Sequence, residues 1–465
     1  MSMHFLKASS LALAVFAASV SAQQPSAATL AARVDSLAAD FLSSSHTPAV
    51  SVAVLRGKDT LVMKGYGDAS VDPRRQATVS TVYRIGSITK QFTSAAIMRL
   101  IERGKLSLDD PMSKYLPDVP LHGHTVTIRQ LLNHTSGIHS YTSDAAWAKT
   151  WAQDLTPRQI VAFVDKDTFD FAPGAEWRYN NTGYVLLGMI IEKITGEPYA
   201  AYLQHDLFTP LGLRQTSYCP TRPTDASFAA GYSSTGGNAK PAEFLSMTHP
   251  FSAGALCSTV RDLVIWQRAL AGGRVVNARS YALMTIPDTL NNGKRLSYGF
   301  GLAPGALGAH RSIGHGGGVH GFTTSSIFFP DDSVNVVVFS NSDRGPDALA
   351  LNIGRAVFGI PLVAGPKPLV AVPLSDADRD RLPGVYDLAP PGGGKFVIHI
   401  MVENGQLMSQ AEGPGQGKFP LVHVGNLQFG AAFDPRLRLT FIAENGKIVK
   451  LRLEQGGTME GPRRP

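Results

Sequence analysis

The order of apolar segments along the chain is the feature that most restricts its fold. The segment VSVAVLRGKDTLVMKGYG, residues 50–67, has two apolar runs around a polar turn and predicts a β-hairpin. Helical spacing follows in NTGYVLLGMIIEKITG and STVRDLVIWQRALAGG, and each segment closes on glycine. Strand patterns return in SSIFFPDDSVNVVVFSN. This order favours an α+β fold, with one antiparallel β-sheet flanked by helices and an all-helical lobe.

The N-terminus has the pattern of a secretory signal. The segment MHFLKASSLALAVFAASVSAQQ has one lysine, an apolar run from Leu11 to Val20 and small residues before Ala22. The apolar run is about half of the roughly 20 residues that a membrane span needs. We therefore expect cleavage after Ala22, which leaves a secreted or periplasmic chain without a membrane span.

The texture of the sequence changes near Pro361. The segment PLVAGPKPLVAVPLSDADRD has four prolines and is typical of a linker. Short alternating strands joined by two Glu-Asn-Gly turns follow, which predicts a small β-rich, barrel-like domain. The predicted organisation is a signal peptide at 1–22, a main domain at 23–362, a linker at 363–372 and the β-rich domain at 373–465.

Composition and charge exclude several classes of partner. The 465 residues are 44% hydrophobic and 17% charged, which is typical of a globular protein with a large core. The net charge is +7 and the basic residues are scattered, so the sequence does not indicate nucleic-acid recognition.

Cys219 and Cys257 lack the histidine spacing of a zinc site, and whether they form a disulfide stays open. We expect no metal and no cofactor.

Ser87 and Lys90 stand three residues apart where the apolar helix of IGSITKQFTSAAIMRLIERGK begins. Residues at this spacing share a helix face. Free N–H groups and the positive dipole end of the first turn favour developing negative charge there. A buried lysine is costly unless it has partners or loses its proton. The pattern indicates a serine nucleophile beside a lysine, and the alternative is a serine N-cap followed by an exposed lysine.

Two further segments carry polar groups suited to catalysis. In PGAEWRYNNTGYVLLG, the Tyr179 phenol can act as acid or base, and the Asn181 amide can hold a substrate amide or a lysine. In RSIGHGGGVHGF, His315 ends a short apolar run, and the three glycines after it allow close approach of a backbone. The structural alternatives are a packing tyrosine, an asparagine N-cap and an ordinary loop.

In combination, Ser-x-x-Lys, Tyr-x-Asn and His-x-Gly in this order resemble the penicillin-recognising serine hydrolases. The resemblance is closest to the branch of class C β-lactamases, D,D-carboxypeptidases, D-aminopeptidases and carboxylesterases. GKLSLDDPMSKYLP, TIRQLLNHTSGI and GALCSTVRDLVIW extend it over about residues 48–359. It implies the β-lactamase/transpeptidase-like fold, with an appended β-barrel domain of the kind that some members carry.

The resemblance also implies a role for each matched residue in a metal-free, acyl-enzyme mechanism. The implied catalytic residues are Ser87, Lys90, Tyr179, Asn181 and His315. Ser87 is acylated, Lys90 shuttles its proton and Tyr179 is the general base and then the acid. Asn181 orients Lys90 and the substrate amide.

The third motif would hold the substrate through its glycines. The resemblance places Gly316 and Gly317 against the substrate, and it places the oxyanion hole at the backbone N–H groups of Ser87 and Gly318. Penicillin-hydrolysing members usually have Lys-Thr-Gly or Lys-Ser-Gly at this position, so the ammonium and the hydroxyl that hold a substrate carboxylate there are absent from this chain. This argues against efficient β-lactam hydrolysis and favours a small ester or a D-amino-acid amide or peptide.

The presence of His315 in place of the lysine of relatives also affects the ionisation of Tyr179, the implied general base. A free tyrosine has a pKa near 10, so a phenolate at neutral pH needs a shift of about 3 units. We hypothesise that Tyr179 is less ionised than in lysine-containing relatives. Activity should then rise into alkaline pH, or the neutral amine of Lys90 should share the base role. A pH–rate profile flat from about pH 6 to about pH 9 would count against this hypothesis.

Competing interpretations remain. A Ser-His-Asp hydrolase is disfavoured because no Gly-x-Ser-x-Gly elbow occurs. A non-catalytic binding or assembly protein of the cell envelope is the alternative from another class. We interpret His134 as a hydrogen-bonded loop anchor and SYTSDAAWAKTW as a candidate lid. The small-molecule substrate and the oligomeric state are not specified by the sequence.

Overall fold

The structure is a computed structural model that describes residues 26–166, 169–234, 238–364, 369–389, 396–412, 418–431, 434–455 and 457–465. The predicted signal peptide lies outside the described residues, as do residues 365–368 of the predicted linker. The domain boundaries stay predictions.

Helices and strands are numbered in chain order. The helices are α1 (Ala27–Ser45), α2 (Thr89–Glu102), α3 (Ile128–Leu132), α4 (Ala145–Ala148), α5 (Pro157–Val161), α6 (Asn181–Thr195), α7 (Tyr199–Leu203), α8 (Thr209–Leu211), α9 (Phe251–Gly254), α10 (Val260–Ala271), α11 (Ala278–Thr285), α12 (Asp347–Phe358) and α13 (Asp376–Arg381). The strands are β1 (Ala49–Arg56), β2 (Asp59–Ser70), β3 (Arg75–Gln76), β4 (Tyr83–Arg84), β5 (Ser217–Tyr218), β6 (Tyr232–Ser233), β7 (Lys240–Pro241), β8 (Leu256–Ser258), β9 (Ala303–Leu307), β10 (His310–Val319), β11 (Phe322–Phe329), β12 (Val334–Ser340), β13 (Gly384–Leu388), β14 (Phe396–Glu403), β15 (Gln406–Ala411), β16 (Phe419–Pro420), β17 (Val422–Gly425), β18 (Gln428–Ala431), β19 (Asp434–Glu444), β20 (Lys447–Glu454) and β21 (Thr458–Pro462).

A seven-stranded antiparallel sheet organises the main domain in the order β3-β2-β1-β12-β11-β10-β9. Strand β1 pairs with β12, with Val52 opposite Val338, so the early and late strands meet in one sheet as predicted. Side chains alternate between the two faces. Val52 packs into the core under α1 and α12, whereas its neighbour Ala53 packs into the core on the side of α2. The predicted α+β class is confirmed.

Helix α1 is an element that the apolar patterns above did not single out. Its buried residues Leu30, Val34 and Ala38 recur every four positions and form one apolar stripe. Ser26 caps the helix by accepting a hydrogen bond from the Thr29 N–H. The stripe covers the outer face of the sheet beside α12.

Helix α2 runs through the interior, as its apolar composition predicted. Every residue from Thr89 to Met98 is buried, including polar ones. Helices α6 and α10 share the same core, together with the shorter α3, α5, α7 and α9, and build the helical lobe. Burial on all sides makes any polar group on α2 depend on protein partners, which matters for Lys90.

The C-terminal residues form two further sheets, β13-β14-β15-β16 and β17-β18-β19-β20-β21, around one apolar core. Bridges from Tyr386 to Arg463 and from Ala389 to Glu460 connect β13 with the last strand. Both predicted Glu-Asn-Gly turns occur, at Asn404–Gly405 and Asn445–Gly446, with positive φ at each of these residues. The arrangement agrees with the barrel-like organisation expected from the sequence.

Cys219 and Cys257 form a disulfide, with Cα atoms 5.1 Å apart, which settles the alternative that the sequence left open. Cys219 follows β5, and Cys257 lies in β8 directly beside it. Among the described residues, no helix has the length and apolarity needed to cross a bilayer. The same residues contain no group of three or more metal-ligating side chains.

Candidate active site

Ser87 lies in a 3₁₀ turn, Gly86–Ile88, immediately before α2. The turn packs against β10, which carries the glycines of the third motif. Gly86 has a φ of +51°, and a Cβ there would lie 2.7 Å from the Gly318 nitrogen. A Cβ on Gly317 would overlap the carbonyl oxygen of Ile85. Both positions therefore require glycine, and their close packing brings the backbone of Gly318 next to the Ser87 turn.

The third motif lies within a strand, not after one. Strand β10 continues from His310 to Val319 and pairs with β11, so His315 is opposite Ser326. The sequence placed His315 at the end of a short strand because glycines usually interrupt strand patterns. Here the glycines remain in the ladder, and at Gly317 the segment before Ser87 leaves no room for a side chain, since a Cβ there would overlap the Ile85 carbonyl oxygen.

Lys90 is completely buried, and its amine has three hydrogen-bond partners. Nζ lies 3.2 Å from Oγ of Ser87, 2.8 Å from Oδ1 of Asn181 and 2.9 Å from the carbonyl oxygen of Ala253. Burial lowers the pKa of Lys90 well below its ordinary value. An uncharged amine at hydrogen-bond distance from a serine hydroxyl can accept its proton.

The two asparagines before α6 have different functions. Asn180 is the N-cap, and its Oδ1 accepts a 2.7 Å hydrogen bond from the N–H of Gly183. Asn181 is the first helical residue, so its side chain is not needed for capping and reaches Lys90. Its Nδ2 donates to Oγ1 of Thr142 at 3.3 Å, which fixes the amide orientation.

Tyr179 lies over Lys90, with its ring centroid 4.7 Å from Nζ. Its hydroxyl is buried and has no hydrogen-bond partner by distance and angle among the described residues. Burial raises the pKa of Tyr179 well above its ordinary value, and the nearby Ser87 hydroxyl opposes this rise only in part. The residue is therefore a phenol at neutral pH, able to donate a proton or a hydrogen bond.

His134 anchors the segment that carries Tyr179, in agreement with the sequence interpretation. Its Nδ1 accepts a 3.2 Å hydrogen bond from the Asn180 N–H, and its carbonyl oxygen accepts one from the Arg178 N–H at 3.1 Å. The buried ring packs 4.4 Å from the Tyr179 ring and 4.7 Å from the Tyr298 ring. Burial lowers the pKa of His134 well below its ordinary value, so the anchor is neutral.

His315 faces the site as a neutral ring. Its Nδ1 contacts the Gly316 carbonyl oxygen, which can only accept, so Nδ1 carries the proton. Nε2 then accepts a hydrogen bond from the Tyr298 hydroxyl at 2.8 Å. Burial is the largest cause that lowers the pKa of His315, which is about 4. His315 therefore does not replace the cation of a lysine in the third motif.

Most of the predicted site residues meet at one open cavity of about 350 Å³. Its lining consists of Ser87, Tyr179, His315, Gly316, Gly317, Gly318, Thr323, Thr324, Gly345, Pro346 and Asp347. Lys90 and Asn181 lie behind Ser87 and do not line it. The sequence reasoning missed the residues after Gly318 and also Tyr298, because they lie in segments without a motif.

The candidate lid segment is held to the protein beside the site. Trp147 donates a 2.8 Å hydrogen bond from Nε1 to Nδ1 of His249, and Tyr141 donates one from its hydroxyl to the His249 carbonyl oxygen at 2.9 Å. The Trp151 ring packs 4.3 Å from the His320 ring. None of these residues lines the cavity, so the lid function stays a prediction.

The fold and this site define a serine hydrolase of the β-lactamase type: a buried lysine lies beside a serine at a helix N-terminus, next to a glycine-rich strand. Comparison with known proteins gives the same class. The β-lactamase family model matches residues 34–359, and the chain belongs to that family.

Relatives from several branches resemble the chain. It is 29% identical to a penicillin-binding protein of Bacillus subtilis over 333 residues, which cover 67% of this chain and 72% of the relative. A D-stereospecific amidohydrolase from Streptomyces is 31% identical, with a TM-score of 0.62 over 72% of this chain and 99% of that one. An octameric penicillin-binding protein homologue from Pyrococcus abyssi is 25% identical, with a TM-score of 0.65 over 92% and 99%.

Proposed function

We propose that this chain is an exported serine hydrolase that forms an acyl-enzyme on Ser87 and cleaves a small ester or a D-amino-acid amide or peptide. The observation that most directly supports this proposal is the 3.2 Å contact between the buried Lys90 amine and the Ser87 hydroxyl. Burial of a lysine without a carboxylate partner costs stability, because the charged amine loses its hydration, so the needs of folding do not explain this residue. Activation of a nucleophile accounts for its presence.

In the proposed reaction, the Lys90 amine accepts the Ser87 proton while Oγ adds to the substrate carbonyl. The N–H groups of Ser87 and Gly318 stabilise the resulting oxyanion. Collapse breaks the bond to the leaving alcohol or amine, and the proton on Lys90 reaches that group through the Tyr179 phenol. Water then attacks the acyl-enzyme by the reverse proton transfers, which releases the acid and restores Ser87.

The third motif supports the choice of substrate. The neutral His315 offers no ammonium to a substrate carboxylate, which disfavours β-lactams as efficient substrates. The likeness to a D-stereospecific amidohydrolase supports amide cleavage next to a D-residue. A serine acyl-enzyme is equally suited to esters, because the same oxyanion forms.

The Cys219–Cys257 disulfide supports export, because such bonds persist in oxidising compartments. The signal pattern before Ala22 supports the same proposal. Expression of the full chain followed by N-terminal sequencing of the extracytoplasmic fraction tests it. A mature terminus at Gln23 is expected, and retention of the intact N-terminus in the cytoplasm would contradict export.

Intact-protein mass spectrometry after treatment with a fluorophosphonate serine probe tests the nucleophile. We expect a single adduct on the wild type and none on Ser87→Ala. Ser94→Ala is the matched control, because Ser94 is another serine of the same buried segment and its hydroxyl, among the described residues, contacts that of Tyr184. An adduct that survives in Ser87→Ala would identify a different nucleophile. No adduct on folded wild type would favour the non-catalytic binding protein.

A further inference from the structure

One side of the cavity beside Ser87 carries a carboxylate, that of Asp347. Asp347 is the first residue of α12 and is exposed to the cavity. Its Oδ1 lies 3.8 Å from the position that a Cβ on Gly316 would occupy, and its Oδ2 lies 3.8 Å from the corresponding position on Gly345. The carboxylate therefore lies against the strand segment that follows His315, at the edge where the proposed substrate enters.

The Asp347 carboxylate has no hydrogen bond and no ion pair with any residue in the described part of the chain. Nearby charged residues are engaged elsewhere. Asp343 accepts hydrogen bonds from Ser233 and Ser234, and Arg344 donates one to the carbonyl oxygen of Ser234 at 3.0 Å. The Asp347 carboxylate is thus available to a bound molecule.

The remaining lining residues supply no opposing charge. They are neutral hydroxyls, glycines, a proline, the Tyr179 phenol and the uncharged His315 ring. Lys90 is buried behind Ser87, and its three hydrogen bonds are already made. A cavity with one free carboxylate and no cation attracts positive groups and repels negative ones.

We propose that Asp347 is a specificity-determining residue that binds a cationic group of the substrate, of the kind that an amino-acid ester or amide with a free ammonium carries. The inference rests on the proposed function, since it assumes that the scissile carbonyl lies at Ser87. It adds to the proposed reaction class the expectation that the substrate carries a positive charge. The same carboxylate disfavours substrates that carry a carboxylate at this position.

Substrate pairs that differ only in charge test the proposal. D-alanine p-nitroanilide and its N-acetyl derivative place the difference on the acyl side. Acetylthiocholine and the neutral 3,3-dimethylbutyl thioacetate place it on the leaving group. For at least one pair, we expect wild-type kcat/KM to favour the cationic member by about 10-fold or more, with less preference at high salt.

The variants then assign the preference to one carboxylate. In Asp347→Asn the ratio should fall to about 1, mainly through a higher KM for the cationic member, and in Asp347→Lys it should invert. Asp343→Asn is the matched control, because it removes an equal charge four positions earlier from a residue outside the cavity lining. The control should keep the wild-type ratio.

A wild type without charge preference in either pair would overturn the proposal, and so would a preference that persists in Asp347→Asn. Both results are distinguishable from failure of the proposed function. If Ser87 reacts with the fluorophosphonate probe and neutral substrates turn over in a Ser87-dependent way, only the role of Asp347 is lost. If neither occurs, the hydrolase proposal itself fails.

Discussion

Asn181 accepts a 2.8 Å hydrogen bond at Oδ1 from Nζ of Lys90, while the adjacent Asn180 caps the helix that both residues begin. The contact holds the amine toward Ser87, and the cap stabilises α6. Two neighbouring residues of the same type thus serve chemistry and stability separately.

We predict a loss of activity at one of the two asparagines and a loss of stability at the other. Asn181→Ala should lower kcat/KM by about 10²-fold or more, because the Lys90 amine loses the partner that positions it. Asn180→Ala should lower the free energy of unfolding by about 1 kcal/mol through loss of the cap, with a smaller change in turnover. Ester hydrolysis and urea unfolding measured on both variants check this. Equal losses of activity would contradict the separation.

The pH dependence of the rate should reflect the loss of the proton from Lys90. Because burial lowers its pKa, the amine is free at pH values where an ordinary lysine is charged. The rate should rise with pH as Lys90 loses its proton and then stay level, because the pKa of Tyr179 is raised. Of the two alternatives drawn from the sequence, these shifts favour the neutral amine as the base.

A kcat/KM profile from about pH 4 to about pH 10 is the measurement. The same profile on His315→Gln is the control, since His315 has a pKa of about 4 and is removed in this variant. A rising limb that remains in the variant belongs to Lys90. A rate that climbs without levelling through the alkaline range would instead assign the base to the Tyr179 phenolate.

Neighbouring glycines of β10 should differ sharply in tolerance. Gly317→Ala should push the strand away from the Ser87 turn, because its Cβ would overlap the Ile85 carbonyl oxygen. We expect a loss of about 10²–10³ in kcat, as for removal of an oxyanion donor. A Cβ on Gly318 would meet no heavy atom within 4 Å, so the kcat of Gly318→Ala should stay within about 10-fold of the wild-type value. Circular dichroism checks that both variants fold, and equal activity of the two would refute the packing argument.

The disulfide should stabilise the fold without taking part in catalysis. The two cysteines are 38 positions apart, so loss of the bond in Cys219→Ala/Cys257→Ala should cost about 4 kcal/mol of unfolding free energy by the chain-entropy estimate. Urea unfolding compares the double variant with the wild type. Residual activity at low temperature should be close to normal, because neither cysteine lines the cavity. Unchanged stability would contradict the prediction.

The sequence predicted the parts whose signal is local. Alternating and helical apolar patterns were sufficient for the early and late hairpins and for α2, and both Asn-Gly turns follow from backbone preferences of those residues. The spacing of Ser87 and Lys90 was informative for the same reason, since both lie on one short stretch of chain. Helix α1 was not predicted, although its residues Leu30, Val34, Leu37, Ala38 and Phe41 follow the spacing of a helix that is buried on one face.

Tertiary structure decided everything that depends on distant segments. The residue numbers of Asn180 and Asn181 do not show which one caps the helix and which one reaches Lys90. Asp347 and Tyr298 carry no motif, yet sheet pairing and helix packing bring them to the third motif.

The sequence by itself determined the fold class, the family resemblance and the set of chemical groups. It did not determine their protonation, because a pKa depends on burial and on neighbours that approach only when the chain folds. Burial of Lys90 by the surrounding helices lowers its pKa and so favours the neutral amine. The Tyr298 hydroxyl and the Gly316 carbonyl select one tautomer of the neutral His315 ring. Folding thus brings groups with ordinary chemistry in the unfolded chain into an environment that supports nucleophilic catalysis.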